Sequence, residues 1–279
     1  MDKAIIIGTY EFLGFGICHK LLHEGIEVIG VHDETINSNQ FLEEKRLEIG
    51  RNANFQEVAL NDLMQSSTLF SESIIYISFY DAYINRFQKR TLFNAINKWI
   101  EYSQIDKVTY SFLLPIQYLK DEEMNQFLNE IESLHLQSIR QIFYLPTIYG
   151  PWQPEVFLFH QGLKRSVIAK EKQGWHLSER EYIFDALYVE DVVTAIIKEN
   201  EKRKSCSLIL KSELEDSWYK CIEEIFAEHD CFLKIKNKEN KQQLILEENI
   251  VKIVKQMTPI TIGIRKQREL LERMMNSMI

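Results

Sequence analysis

The sequence predicts an α/β protein, built from a doubly wound parallel sheet and a smaller carboxy-terminal lobe. Three observations predict it. Short apolar runs alternate with helical patterns as far as residue 146, the first run leads into a glycine-containing turn, and the alternation stops after Tyr149. The chain of 279 residues is long enough for one large domain or two lobes.

The first repeat is a strand, a helix and a second strand. Residues 3–8 predict a buried strand, residues 13–24 a helix, and residues 27–33 a strand, with Gly25 ending the helix. This unit of about thirty residues has the length that a parallel crossover requires. Further strands are predicted at 54–60, 73–80, 106–114 and 138–146, and helices at 38–51, 84–103 and 121–134.

The pattern changes in the second half. The segment YGPWQP at 149–154 is rich in turn residues, residues 183–203 begin as an extended piece, and one more strand is predicted at 207–211. Helices are predicted at 155–170, in the later part of 183–203, near 215–229 and at 263–277. We therefore assign 1–150 plus 183–211 to the sheet-containing lobe, and 151–182 plus 212–279 to the small lobe.

Composition narrows the functional classes. The formal net charge of −8 argues against nucleic acid or an anionic membrane as a partner, because both favour a basic face. No apolar run approaches the ~20 residues that span a bilayer, and the start lacks a signal-peptide pattern, so we expect a cytoplasmic protein. The four cysteines are scattered and predict no metal site or disulfide.

The segment IIIGTYEFLGFG at 5–16 has the pattern of a dinucleotide-binding loop. Gly8 would allow the tight turn, and Gly14 would let the helix pack closely on the strand. Glu11 stands where a middle glycine lets the backbone approach the diphosphate. Its side chain adds bulk and negative charge there, which weakens the prediction that the loop holds a dinucleotide.

Three segments resemble the extended short-chain dehydrogenases, the NAD-dependent epimerase/dehydratase family. They are residues 5–33, YLPTIYGPWQP at 144–154 and IFDALYVEDVVTAI at 183–196, in the family's order and spacing. The resemblance implies a Rossmann-type sheet and a pocket for NAD or NADP, with NAD favoured because Asp33 ends the second strand. The cofactor-binding positions that it implies are Gly8, Glu11, Phe12, Leu13, Gly14, Asp33, Asp62, Leu63 and Ser78. Phe79 follows Ser78 where the family usually carries a small residue, and would fill cofactor space.

The resemblance also shows what is missing for catalysis. The family uses a Tyr whose pKa is lowered by a Lys four residues later, together with a nearby Ser or Thr. The matching positions here are Tyr118 and Ser111, but Glu122 replaces the lysine and would raise the tyrosine pKa. We therefore expect the usual Tyr/Lys chemistry to be lost, with Tyr118 and Ser111 as weak catalytic candidates.

Three hypotheses follow. The first is a divergent protein that binds NAD(P) in a sensing or structural role. The second is an active epimerase, dehydratase or reductase that uses an unusual base on a nucleotide sugar. The third is an interaction protein with a packed, cofactor-free cleft. Small molecules or nucleotide sugars are the expected partners, and a homodimer stays open.

Overall fold

The structure is a computed structural model, and it describes residues 3–32, 41–65, 73–85, 93–94, 96–99, 108–134, 138–167, 175–226, 244 and 250–277. The chain divides into two compact units, Met1–Tyr144 with Val193–Leu208 and Leu145–Val192 with Ile209–Ile279. The lobe boundaries given above stay a prediction, because compact units need not coincide with functional lobes.

Ten strands are described. They are β1 (Lys3–Ile7), β2 (Glu27–His32), β3 (Phe55–Ala59), β4 (Ile74–Ser78), β5 (Thr109–Pro115), β6 (Ile139–Leu145), β7 (Thr147–Tyr149), β8 (Ala186–Tyr188), β9 (Cys206–Ser212) and β10 (Val251–Val254). Eight form one sheet in the order β10-β9-β6-β5-β4-β1-β2-β3, and β7 pairs with β8. The pairs β1–β2, β1–β4, β2–β3, β4–β5 and β9–β10 are parallel, so the predicted doubly wound parallel sheet is confirmed.

The described helices connect these strands. They are α1 (Phe12–His23), α2 (Leu42–Ile49), α3 (Leu60–Gln65), α4 (Phe79–Ile84), α5 (Glu122–Leu134), α6 (Leu158–Val167), α7 (Val189–Asn200), α8 (Ser217–Ile225) and α9 (Ile260–Ser277), with further helical residues at 93–94 and 96–99. No helix in the described part of the chain is long and apolar enough to cross a membrane.

The first strand–helix–strand unit follows from its sequence. The isoleucine run of β1 is buried on both faces, as expected for an inner strand of a parallel sheet. Register pairs Ile5 of β1 with Ile29 of β2 and with Ile75 of β4, so β1 lies in the middle of this part of the sheet. Gly25, with φ +79°, ends α1 in the left-handed conformation that favours glycine.

One predicted strand was too long, and short strands were missed. The strand predicted at 73–80 ends at Ser78, because the Ser78 hydroxyl accepts the backbone N–H of Asp81 and starts α4. Strand β10 was not predicted, because its four residues VKIV are too few to give a periodic signal.

Candidate functional site

The backbone of the loop between β1 and α1 has the geometry that the glycine pattern predicts. Gly8 has φ +88°, and its N–H donates to the carbonyl of Val31 at 2.9 Å. A Cβ on Gly14 would lie 2.1 Å from the carbonyl oxygen of Gly8. These two glycines therefore make the tight turn and the close packing of helix on strand that a dinucleotide loop uses.

The amino terminus of α1 is occupied by a carboxylate from another part of the chain. Asp81, in the first turn of α4, accepts the backbone N–H of Leu13 at 3.0 and 3.1 Å and that of Gly14 at 3.0 Å. The Ser78 hydroxyl also donates to it, at 2.8 Å, and Asp81 is buried. Free N–H groups of this kind are where a helix binds the phosphates of a dinucleotide. Here they are bound to the protein's own anion.

A buried lysine acts electrostatically on this carboxylate. Lys45 of α2 is only 3% exposed, and its ammonium donates to the carbonyl of Tyr10 at 2.6 Å. Burial lowers the pKa of Lys45, while Glu11 and Asp81 act in the opposite direction. Burial likewise raises the pKa of Asp81, while its hydrogen bonds and Lys45 oppose that shift. The charges of Lys45 and Asp81 thus each favour the ionised form of the other.

Glu11 stands at the position that usually caps a helix, but it does not cap α1. It is the residue before α1, but its side chain makes no capping hydrogen bond to the helix. Its carboxylate instead accepts a hydrogen bond from the side-chain amide of Asn85. Burial, and then the charge of Asp81, raise the pKa of Glu11 to about 7. Two acidic side chains thus lie where a diphosphate would bring further negative charge.

Tyr10 lies on the other side of the loop, toward the ends of β2 and β3. Its hydroxyl donates to Glu57 at 2.8 Å, and its ring packs edge-on against His32 with centroids 5.7 Å apart. The guanidinium of Arg46 lies 5.5 Å from the centre of that ring and donates to Glu57 at 2.8 Å. His32 ends β2, next to Asp33, which lies outside the described residues.

The remaining predicted cofactor positions divide into core and surface. Phe12, Leu13 and Leu63 are buried apolar side chains, whereas Asp62 is exposed in the first turn of α3. Ser78 is committed to Asp81 by the hydrogen bonds described above.

Phe79, predicted to fill cofactor space, belongs to an aromatic cluster. Its ring packs edge-on against Phe93 and Phe127 at centroid distances of 5.1 and 5.4 Å. It is 1% exposed, so it serves as a core side chain under the start of α4.

The two catalytic candidates lie in different surroundings. Ser111, in β5, has no exposed surface, and its hydroxyl accepts from the side-chain amide of Asn200 at 3.1 Å. That amide also donates to Gln141 at 2.5 Å, so Ser111 belongs to a buried network joining β5, β6 and α7. Its hydroxyl is held in the protein interior.

Tyr118 lies in a 3₁₀ turn, Ile116–Lys120, rather than at the start of a regular helix. It is 8% exposed, and its ring packs edge-on against Tyr83 with centroids 5.3 Å apart. Glu122, four residues later, is the first residue of α5. The residue four positions after Tyr118, where a lysine would lower the tyrosine pKa, is therefore a glutamate.

Sequence reasoning missed Asp81, Lys45 and Asn85. The pattern Ser78-x-x-Asp81 is a helix-start signature and could have located the start of α4. It does not reveal that the carboxylate turns to a helix 68 positions away in sequence. Among the described residues, no group of three His, Cys, Asp or Glu side chains is arranged to hold a metal ion.

Comparison with solved structures confirms the fold. The chain is similar to Pal from Bacillus thuringiensis, with 14% identity and a TM-score of 0.67 over 98% of this chain and 99% of that one. It is similar to a mutant UDP-glucuronic acid 4-epimerase from Bacillus cereus, solved with NAD and a fluorinated UDP-sugar, with 12% identity and a TM-score of 0.66 at the same coverage. For the dTDP-glucose 4,6-dehydratase of Bacillus anthracis, solved with NAD, the values are 12% and 0.61, over 98% of this chain and 97% of that one. The predicted resemblance to the NAD-dependent epimerases and dehydratases is therefore confirmed at the level of the fold.

Sequence comparison is much less informative. No family model matches the chain. An uncharacterized Bacillus subtilis protein, YjaV, is 35% identical over 60 residues, which is 21% of this chain. The match spans only 32% of that protein, about a third of its length.

Proposed function

We propose that this protein is a non-catalytic relative of the epimerase/dehydratase fold that works without a dinucleotide in its first loop, and acts as an interaction protein. One observation carries the proposal: the Asp81 carboxylate accepts the backbone N–H groups of Leu13 and Gly14. Those donors are the ones that the fold offers to a dinucleotide.

Electrostatics oppose a diphosphate at this loop. Two unit charges 4 Å apart interact by about 4 kcal/mol at an effective dielectric constant of about 20. A diphosphate would meet Asp81, and also Glu11 whenever that side chain is ionised, against the single positive charge of Lys45. It would have to displace Asp81 before it could bind the two N–H groups.

The catalytic segment supports the same proposal. The family's tyrosine depends on the lysine four residues later, because an unassisted tyrosine titrates near pH 10, too high for a base at neutral pH. Tyr118 is followed by Glu122 where the family carries its lysine, and the Ser111 hydroxyl is buried in the Asn200 network. An active enzyme acting on a nucleotide sugar would therefore need a different base.

The retained glycines favour a second candidate, a non-catalytic NAD(P)-binding protein with a sensing or structural role. The turn at Gly8 and the close packing at Gly14 are those of a functional loop. Similar solved structures contain NAD. If this second function is correct, Asp81 leaves the amino terminus of α1 when the cofactor binds, and Asp33 makes NAD bind more tightly than NADP.

A ligand titration separates the candidates. The wild-type protein is heated with NAD, NADP or UDP-glucose, and with buffer of equal ionic strength. The interaction-protein proposal expects no ligand-dependent stabilisation, whereas binding would add about 2.7 kcal/mol at a hundredfold excess over Kd. Stabilisation by NAD without turnover would favour the second candidate, and epimerisation or dehydration of the UDP-sugar would favour an active enzyme.

A further inference from the structure

We propose that the outer edge of β10, with the exposed side chains beside it, is a docking surface for an extended acidic segment of a protein partner, which adds to the sheet as a further strand. β10 is the last strand of the eight-stranded sheet, with β9 on one side and no described strand on the other. The inference rests on the proposed function, because it names the surface and the kind of partner through which an interaction protein would act.

The backbone of β10 is open on its outer side. The carbonyl of Val254 accepts the N–H of Glu213, the residue after β9, at 3.3 Å, so Val254 directs its polar backbone groups toward β9. Successive residues of a strand point these groups to alternate sides, so those of Ile253 point away from β9. No hydrogen bond within the described part of the chain uses these two groups of Ile253. An added strand would pair with them.

The side chains beside this edge are apolar and exposed. Ile253 is 51% exposed and Met257 is 75% exposed, and they are two of the three exposed large apolar side chains in the described part of the chain. Single apolar residues scattered over a surface are common, but these two lie within five residues of each other at an open strand edge. Proteins ordinarily avoid an exposed apolar edge, so a partner that covers it is the explanation we adopt.

The segment after β10 is fixed in this exposed arrangement. The carboxylate of Glu213 accepts the backbone N–H of Gln256 at 2.6 Å, and Asp191 of α7 accepts those of Met257 and Thr258 at 3.2 and 3.3 Å. Two carboxylates therefore hold the backbone that carries Met257, while its side chain stays in solvent. A surface that is ordered before binding loses less conformational entropy when a partner docks.

Two lysines decide which partner fits the edge. Lys211 of β9 is the register neighbour of Ile253, so these two exposed side chains share one face of the sheet. Lys255, two positions after Ile253, is also exposed, and neither lysine forms an ion pair among the described residues. Their charges favour an acidic strand. They oppose pairing with the same edge of a second copy, because that would bring lysines together.

The test is a titration of the wild-type protein with a synthetic peptide, a capped heptapeptide of alternating glutamate and valine. The readouts are the amide resonance and hydrogen-exchange rate of Ile253, and the fluorescence anisotropy of the labelled peptide. We expect saturable movement of the resonance and slower exchange, because the peptide accepts the outward N–H. Added salt should weaken binding, and a peptide of alternating lysine and valine should bind more weakly.

Three variants identify the contacts. Ile253→Pro removes the outward N–H, a substitution that an edge strand tolerates when that N–H faces solvent, and should abolish peptide binding with the fold intact. Lys255→Glu should weaken binding by about fivefold, the size of one exposed ion pair. Lys220→Glu on α8 is the matched control, because it changes the net charge equally at another exposed position, and should leave the affinity unchanged. If Ile253→Pro does not fold, the comparison of the two glutamate variants decides the matter.

Three results would overturn the inference. They are a wild-type Ile253 amide that ignores the acidic peptide, equal affinity for the lysine peptide, and equal effects of Lys255→Glu and Lys220→Glu. A dimer that Ile253→Pro abolishes would assign the edge to a second copy and also overturn it. Stabilisation by NAD would contradict the proposed function whatever the peptide does. Absence of both peptide and NAD binding would overturn this surface alone, so the two failures are distinguishable.

Discussion

The loop between β1 and α1 and the segment from β5 to α5 are the two places to which the family resemblance assigns function, and they differ in kind. In the loop the backbone is retained, since Gly8 turns and Gly14 packs as a dinucleotide site requires. What has changed is the occupant, because Asp81 is bound to the helix terminus. In the β5–α5 segment the side chains differ from the pattern that the resemblance implies, since Glu122 stands at the expected lysine position and the Ser111 hydroxyl belongs to a buried network.

Under the proposed function, this difference teaches that a fold can lose a ligand site without losing the site's backbone geometry. Gly8 and Gly14 are needed for the helix to pack on the sheet, whether or not a cofactor binds. Under the proposed function, no catalytic requirement fixes the side chain at residue 122. If this explanation holds, variants in the loop should affect folding strongly, and Tyr118→Phe, which keeps the buried ring, should have little effect.

The largest effect is expected from Asp81→Ala. The substitution removes the acceptor for two buried backbone N–H groups. Each buried donor left without an acceptor costs about 1–3 kcal/mol, so we expect a loss of about 2–6 kcal/mol. Urea denaturation should show a loss of unfolding free energy in that range. Lys45→Met in a double-mutant cycle measures the coupling between Lys45 and Asp81, and additive losses would mean that the two side chains do not interact.

Gly14→Ala should follow in size. The added Cβ would meet the Gly8 carbonyl at 2.1 Å, and backbone cannot give way as a side chain does. Overpacking of this kind costs about 1–3 kcal/mol and sometimes more. Gly25→Ala is the matched control, because it has no atom within 4 Å and only its φ of +79° opposes a side chain. A Gly25 variant less stable than the Gly14 variant would refute the packing explanation.

Individual residues show which features of the β1–α1 loop could be predicted from the sequence. The helix predicted at 13–24 is confirmed as α1, and its Leu13, Ile17, Leu21 and Leu22 are buried, because helical periodicity is a local signal. The ligation of Leu13 by Asp81 joins residues 68 positions apart and leaves no local pattern. Glu11 was identified as an obstacle, but its hydrogen bond to Asn85 depends on where α4 ends, which tertiary structure decides.

Ser111→Ala tests the other region and should cost less. The hydroxyl accepts one hydrogen bond from Asn200, whose amide also donates to Gln141. A net hydrogen bond of this type contributes about 0.5–1.5 kcal/mol, with a further penalty if the amide stays unsatisfied. Chemical denaturation should show a loss of about 1–2 kcal/mol. An unchanged unfolding free energy would indicate that Ser111 is not held in the interior for structural reasons.

The pH dependence of stability tests the charge on the loop. Burial and Asp81 raise the pKa of Glu11 from 4.5 to about 7, so the folded state keeps a proton that the unfolded state releases. The contribution of this group is present below about pH 4.5 and is lost as the pH rises through about 7. Wild type should therefore lose stability relative to Glu11→Gln between pH 5 and pH 8, with Asp81 and Lys45 present in both. Parallel curves over that range would contradict the assignment.

The smallest effect is expected at Tyr118. Glu122 stands four residues later, where the resemblance implies a lysine, so we expect Tyr118 not to act as a base. Tyr118→Phe should leave any turnover of a nucleotide sugar unchanged, as measured by product analysis. A large fall in kcat with the fold intact would show that the tyrosine acts as a base with a partner other than residue 122.

The most direct test of the central claim is a pair of amide spectra of the wild-type protein, recorded with and without millimolar NAD. If Asp81 holds the amino terminus of α1, the Leu13 and Gly14 resonances should stay where they are in the free protein. Saturable movement of both resonances, with Asp81 unaltered in sequence, would show that the loop accepts a dinucleotide and that the carboxylate gives way to it.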